Sequence, residues 1–104
     1  MPYVIVYVTA KGDAEAKKIG EAVVKDRLAA CANIIPSISS IYWWKGKIEK
    51  NSEAALIVKT KKSLVKRLIK RIKELHSYEV PTIDAIEVSE GNPECFRWIE
   101  EVTR

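Results

Sequence analysis

Ile41-Tyr-Trp-Trp-Lys-Gly-Lys-Ile-Glu49, followed by Glu53 to Thr60, is the stretch on which the fold turns. Ile38 to Trp44 is rich in β-branched and aromatic residues, which suit a pleated, half-buried surface. Lys45-Gly46-Lys47 then supplies a short turn, with its one glycine where a positive φ is easiest. From Ile48 the chain returns as a second long strand, through Asn51-Ser52 to Ala54-Ala55-Leu56-Ile57-Val58. The reading is a long β-hairpin with Trp43, Trp44, Lys45, Lys47 and Glu49 near its tip. A hairpin of this length cannot bury itself. It needs a helical layer on one face and invites another subunit at its far end.

Upstream of the hairpin, Tyr3 to Thr9 is apolar at nearly every position and reads as a central strand. Lys11-Gly12-Asp13 breaks it, with Gly12 or Asp13 as N-cap. The spacing predicts an amphipathic helix from Ala14 to about Leu28, burying Ala16, Ile19 and Val23. Pro36 among serines predicts a bulge or interruption in the strand that enters the hairpin. Downstream, Thr60 is placed as the N-cap of a helix over 61–75, whose stripe is Leu64, Val65, Leu68, Ile69, Ile72 and Leu75. Thr82 to Val88 is a last strand, and Asn92-Pro93 opens a short terminal helix. The order β-α-β-β-α-β plus a helix is the ferredoxin-like arrangement of the α+β class: an antiparallel sheet with two helices on one face.

One domain over residues 1–104 follows from the length. With 47% hydrophobic and 31% charged residues the chain is globular, and no apolar run reaches the roughly 20 residues of a membrane span. The N-terminus lacks the ordered regions of a signal peptide, so the expected location is the cytoplasm. Cys31 and Cys95 are then expected as free thiols. A net charge of +4 permits anion or nucleic-acid binding without arguing for either.

Several stretches in the same order resemble the CutA divalent-cation tolerance family: Arg27-Leu-Ala-Ala-Cys-Ala-Asn33, Tyr42-Trp-Trp-Lys-Gly-Lys47, Lys59-Thr60, His76 to Pro81, and Phe96-Arg-Trp98. They span nearly the whole chain. One departure is Ser77, which stands where the family usually reads proline between histidine and tyrosine, and a looser loop about His76 is the expected consequence. The resemblance implies a homotrimer similar in architecture to PII signalling proteins, an inter-subunit cleft, and a role in tolerance to copper and other divalent metals. It supplies no agreed reaction.

His76 and Cys31 are the natural ligands for copper or zinc in the matched stretches, and two such groups suit a weak or subunit-shared site better than a closed structural one. Free cysteines are commonly buried as small apolar residues, which is the favoured alternative for Cys31. His76 is placed as a ligand or as a cap on the preceding helix, both readings standing. Trp44, Lys47, Glu53, Lys59 and Tyr78 are the candidate cleft residues. No organic cofactor is expected, nor an enzyme: one histidine and no phosphate-binding glycine loop leave no catalytic set to defend.

The alternative is an RNA-binding module, since the topology is also that of RNA-recognition domains and the 61–73 helix is basic. The strand Ala54 to Lys59 carries none of the aromatics that such recognition uses, which leaves nucleic acid the minor reading.

Overall fold

The computed structural model describes residues 3–104. Strand β1 (Val4–Ala10) leads into helix α1 (Asp13–Lys25), then into β2 (Cys31–Trp44) and β3 (Lys47–Thr60). A 3-10 turn (Lys62–Leu64) precedes α2 (Val65–Leu75), and β4 (Ile83–Glu87) and α3 (Pro93–Val102) complete the chain. The sheet is antiparallel in the order β2-β3-β1-β4, the ferredoxin-like order. No helix among the described residues is long and apolar enough to cross a membrane.

Alternation sets the two faces of the sheet. Val4, Val6, Val8 and Ala10 are buried against the helices with Leu56 and Val58, joined by Ile19 and Val23 of α1 and by Leu68 and Ile72 of α2. Gly20 lets α1 come close to the sheet: a Cβ there would stand 3.1 Å from the Ala32 Cβ and 3.3 Å from Leu56 Cδ1. The other face carries Ile5, Tyr7, Ile57, Lys59 and Glu53, with Cys31 paired to Lys59 and Ile38 to Glu53.

The hairpin forms as its sequence predicts. Lys45 and Gly46 both take positive φ, 50° and 79°, which defines a two-residue turn of the primed type whose twist matches the strands. The register slips between Ile35 and Ile38, placing the bulge at Pro36 on the sheet's edge strand, where a missing N–H costs little. Asn92 caps α3, its side chain accepting the Glu94 N–H at 3.0 Å, with Pro93 next.

Two boundaries move, each for a definable reason. Thr60 is not a helix cap. It remains in the β3 ladder opposite Val4, fully buried, and its hydroxyl donates to the Leu28 carbonyl at 2.7 Å. The helical stretch therefore starts after Lys61 without a side-chain cap. Helix α1 stops at Lys25 and not near Leu28, because Arg27 enters the left-handed region (φ 59°). The Arg27 N–H then bonds the Val24 carbonyl and the Leu28 N–H bonds that of Val23, a Schellman closure with arginine in glycine's usual place. The arginine contributes elsewhere: its guanidinium donates to the Val102 carbonyl and ties down the C-terminal helix.

Candidate functional site

A cavity of about 850 Å³ lies between the outer half of the hairpin and the segment 77–82. Its wall includes Tyr7 and Thr9 of β1, Ile38, Ser40, Tyr42 and Trp44 of β2, Glu53 of β3, and Tyr78. Ser39, Ile41 and Trp43 of β2 border it as well, and the register sorts these strand residues by face. From the Trp44–Lys47 pair inward, alternation puts Trp44, Tyr42, Ser40 and Ile38 on one face with Glu53, and leaves Trp43 and Ile41 on the other.

The floor is charged. Glu53 is only 7% exposed, and its Oε2 accepts the Tyr78 hydroxyl at 2.6 Å. Burial and then this carboxylate hold the Tyr78 phenol well above the ordinary tyrosine range. Asn51 donates to the Tyr42 hydroxyl at 2.7 Å, which fixes a second phenol. At the mouth, the Lys45 ammonium stands 5.4 Å from the Trp44 ring centroid and 3.7 Å from Glu79.

His76 holds the loop that carries Tyr78. Its ring is fully buried. Nε2 donates to the Thr9 carbonyl at 2.7 Å, and Nδ1 accepts the Tyr78 N–H at 3.1 Å. A carbonyl can only accept and an amide N–H can only donate, so the contacts select the neutral tautomer with hydrogen on Nε2. Glu15 Oε1, 3.7 Å from Nδ1, is therefore a neighbour rather than an ion-pair partner. The ring reaches across to β1 and does not cap its own helix.

Ser77 is bound as well. Its N–H donates to Glu15 Oε2 at 3.1 Å, a bond that a proline at this position could not make. The loop that lost a proline ring thus gained a backbone hydrogen bond. Burial pushes the Glu15 carboxyl up, but hydrogen bonds from Ser77 and from the Lys11 N–H outweigh it and leave the group below its ordinary value of 4.5. A carboxyl with a lowered folded-state pKa stabilises the fold above its unfolded value, and that contribution is lost as pH falls through the lowered value. Acid unfolding should therefore steepen below about pH 4.5 in the wild type and less so in Glu15→Gln, measured by far-UV circular dichroism at fixed denaturant. Identical profiles for the two proteins would refute the assignment.

Of the candidate cleft residues, Trp44, Glu53 and Tyr78 line this one cavity. Lys47 and Lys59 do not. Lys59 lies six residues along β3 from Glu53, roughly 20 Å at strand spacing, and Lys47 sits at the opposite end of the same strand. His76 and Cys31 are also separated within the chain. The first is anchored at Thr9, which pairs with Ala55, and the second pairs with Lys59, about 13 Å further along β3. Cys31 is a half-buried free thiol on the face turned away from the helices. Among the described residues no three His, Cys, Asp or Glu side chains converge as a metal cluster.

Tyr7, Tyr42, Asn51 and Glu15 belong to the site and were not singled out from the sequence for it. The hairpin alternation was enough to place Tyr42 beside Trp44. Glu15 had no sequence signal, because its partner lies 62 residues away on another element.

The fold and cavity define a ferredoxin-like domain with an overlong hairpin and an open cavity beside it. The profile of the CutA1 divalent ion tolerance proteins matches residues 4–102, and the chain belongs to that family. It is 47% identical over 97 residues to the mouse protein CutA, covering 55% of that protein, and 38% identical to the chloroplastic CutA 1 of rice, covering 59%. The chain thus spans a little over half the length of these relatives. A divalent-cation tolerance protein CutA of Thermus thermophilus is 41% identical, with 96% of its length covered. Among solved structures, the divalent cation tolerance protein of Thermus thermophilus superposes with a TM-score of 0.93 at 40% identity over the whole of both chains. Rice CutA1 gives 0.95 at 38% identity, covering 100% of this chain and 95% of that one. The RNA-binding alternative finds no support in these relationships.

Proposed function

We propose that the chain assembles as a homotrimer that binds divalent metal weakly at its subunit joins, in the cytoplasm, and acts in metal tolerance as a binding or signalling protein rather than as an enzyme. The names of the relatives point to divalent cations, and copper is the metal proposed. The assembly is carried by one observation, the open outer hairpin. The β1 ladder ends at Ala10 opposite Ala54, so Lys47–Glu53 of β3 has no second partner strand among the described residues. That hairpin also exposes large apolar side chains, with Ile41 at 70%, Trp43 at 72% and Ile48 at 56%. Unpaired edges and exposed aromatics of this kind invite aggregation unless another copy covers them. The free edge of β4 differs from the unpaired length of β3, so a join between them is head-to-tail, the kind that closes a ring when the rotation between copies matches.

Cys31 and His76 are the proposed ligands. Their separation in one subunit means each metal would take one of them with groups from a neighbour, and His76 would have to release Thr9 or Tyr78. Light scattering should give three subunits at micromolar concentration. A calorimetric copper titration of the reduced protein should be saturable and be lost in Cys31→Ser or His76→Gln variants of unchanged mass. A stable monomer would overturn the assembly. Copper binding unaltered in both variants would overturn the ligand assignment.

A further inference from the structure

Two charged groups on the sheet face turned away from the helices are left incomplete by the single chain. Glu53 is more than nine-tenths buried, and among the described residues its side chain takes one hydrogen bond, at Oε2 from the neutral Tyr78 hydroxyl, and no ion pair. A single phenol replaces only part of the hydration that a buried carboxylate loses, and such a group normally has a cation beside it. Lys59, six residues along the same strand, has the opposite lack. It is half-buried between Ile5 and Cys31 in the ladder and forms no ion pair among the described residues. The two cannot meet within one chain, because the strand holds them roughly 20 Å apart.

We infer that they meet between copies, with Lys59 of one subunit as the counter-ion of Glu53 in the next. The contact rests on the assembly proposed above and names a charge pair that holds it together. The strands carry three cationic side chains, all on β3: Lys47, Lys50 and Lys59. Alternation puts Lys50 on the opposite face, and Lys47 is exposed at the hairpin tip. Only Lys59 is both half-buried and on the face of Glu53. A contact between groups so far apart on one face joins unlike patches. It is therefore head-to-tail, and in a closed ring every copy donates one lysine and receives one. The proposed metal ligands need a displacement in the same direction, since Cys31 is the ladder partner of Lys59 and His76 is held at Thr9, opposite Ala55 and two residues from Glu53. A neighbouring copy over the outer hairpin also excludes water from Glu53, which strengthens its attraction to the lysine.

The test is the dissociation of the intact assembly on dilution in a fixed concentration of urea, followed by light scattering, with far-UV circular dichroism to show that each variant folds. Glu53→Gln and Lys59→Met should each raise the dissociation concentration by roughly tenfold or more, and the double neutral variant should do no worse than either alone. Exchanging the charges in one chain, Glu53→Lys with Lys59→Glu, should restore assembly by roughly tenfold or more over either reversal by itself. Lys47→Met should behave as the wild type. Effects of Glu53→Gln and Lys59→Met that simply add would show that the two groups do not touch, and would overturn the inference. So would wild-type dissociation in both variants, or an effect at Lys47 with none at Lys59. Lys59 is partly exposed, so its variants keep the inference falsifiable if Glu53→Gln misfolds. A monomeric wild type would overturn the assembly and this contact together, whereas a trimeric wild type with additive variants overturns the contact alone.

Discussion

His76→Ala should cost about 2–4 kcal/mol of unfolding free energy, and His76→Gln clearly less. The imidazole is fully buried, so its removal leaves a space that the packed loop fills only in part. It also strands two backbone groups. The Thr9 carbonyl and the Tyr78 N–H each lose the partner that satisfies them, and an unpaired buried group costs about 1–3 kcal/mol before water enters. Glutamine offers one donor and one acceptor in the same side chain and so replaces part of both bonds. The effect should extend beyond stability. Tyr78 follows His76 by two residues and holds Glu53, so the alanine variant should show faster hydrogen exchange at residues 76–80 than elsewhere. Guanidinium unfolding at matched protein concentration checks the energy, since an assembly's stability depends on concentration. A shift below about 0.5 kcal/mol, the range of an ordinary surface substitution, would show that the histidine is not the clamp its geometry describes.

Leu56→Ala should be the more damaging core change, at about 3–4 kcal/mol. Leu56 is fully buried at the meeting of three elements: it pairs with Val8 of β1 and Ile34 of β2, and its Cδ1 reaches toward Gly20 of α1. Strands on both sides hold the backbone in register, so the neighbours cannot collapse far into the space. That places the cost in the upper part of the range for leucine-to-alanine changes. Leu56→Met, which keeps the volume, should cost less than about 1.5 kcal/mol. The comparison separates packing from any role of the side chain in assembly, because Leu56 faces the helices and not the open sheet. If both variants unfold together, the loss would come from strand pairing rather than from the cavity.

Much of the architecture was legible along the chain. Lys45-Gly46 marked the turn, Pro36 the bulge, Asn92-Pro93 the last helix, and the helical stripes of 14–28 and 61–75 the layer over the sheet. These are local signals: a dihedral requirement, a missing donor, a periodicity. Thr60 and Arg27 show where such signals stop. Thr60 looks like a cap in isolation, but the ladder opposite Val4 and the orphan carbonyl of Leu28 claim it first. Arg27 looks like the end of a helical stripe, but the chain must turn into β2 within a few residues, and the residue that turns is the one whose guanidinium also reaches Val102.

The site divides in the same way. The residue types that the sequence marked for attention, His76, Cys31, Trp44, Glu53 and Tyr78, were marked by chemistry and by family resemblance. Tertiary structure alone decided their grouping: Trp44, Glu53 and Tyr78 share a cavity, Lys47 and Lys59 lie outside it, and Cys31 is some four strand residues from the place where His76 is held. It also decided that both nitrogens of His76 are committed to backbone groups and that Ser77 recovers a bond to Glu15. The physical reason is the reach of each kind of interaction. Periodicity and turn chemistry act over a few residues and are written in order along the chain, whereas the bonds that build the site close loops of 25, 62 and 67 residues and exist only once the sheet has brought their ends together.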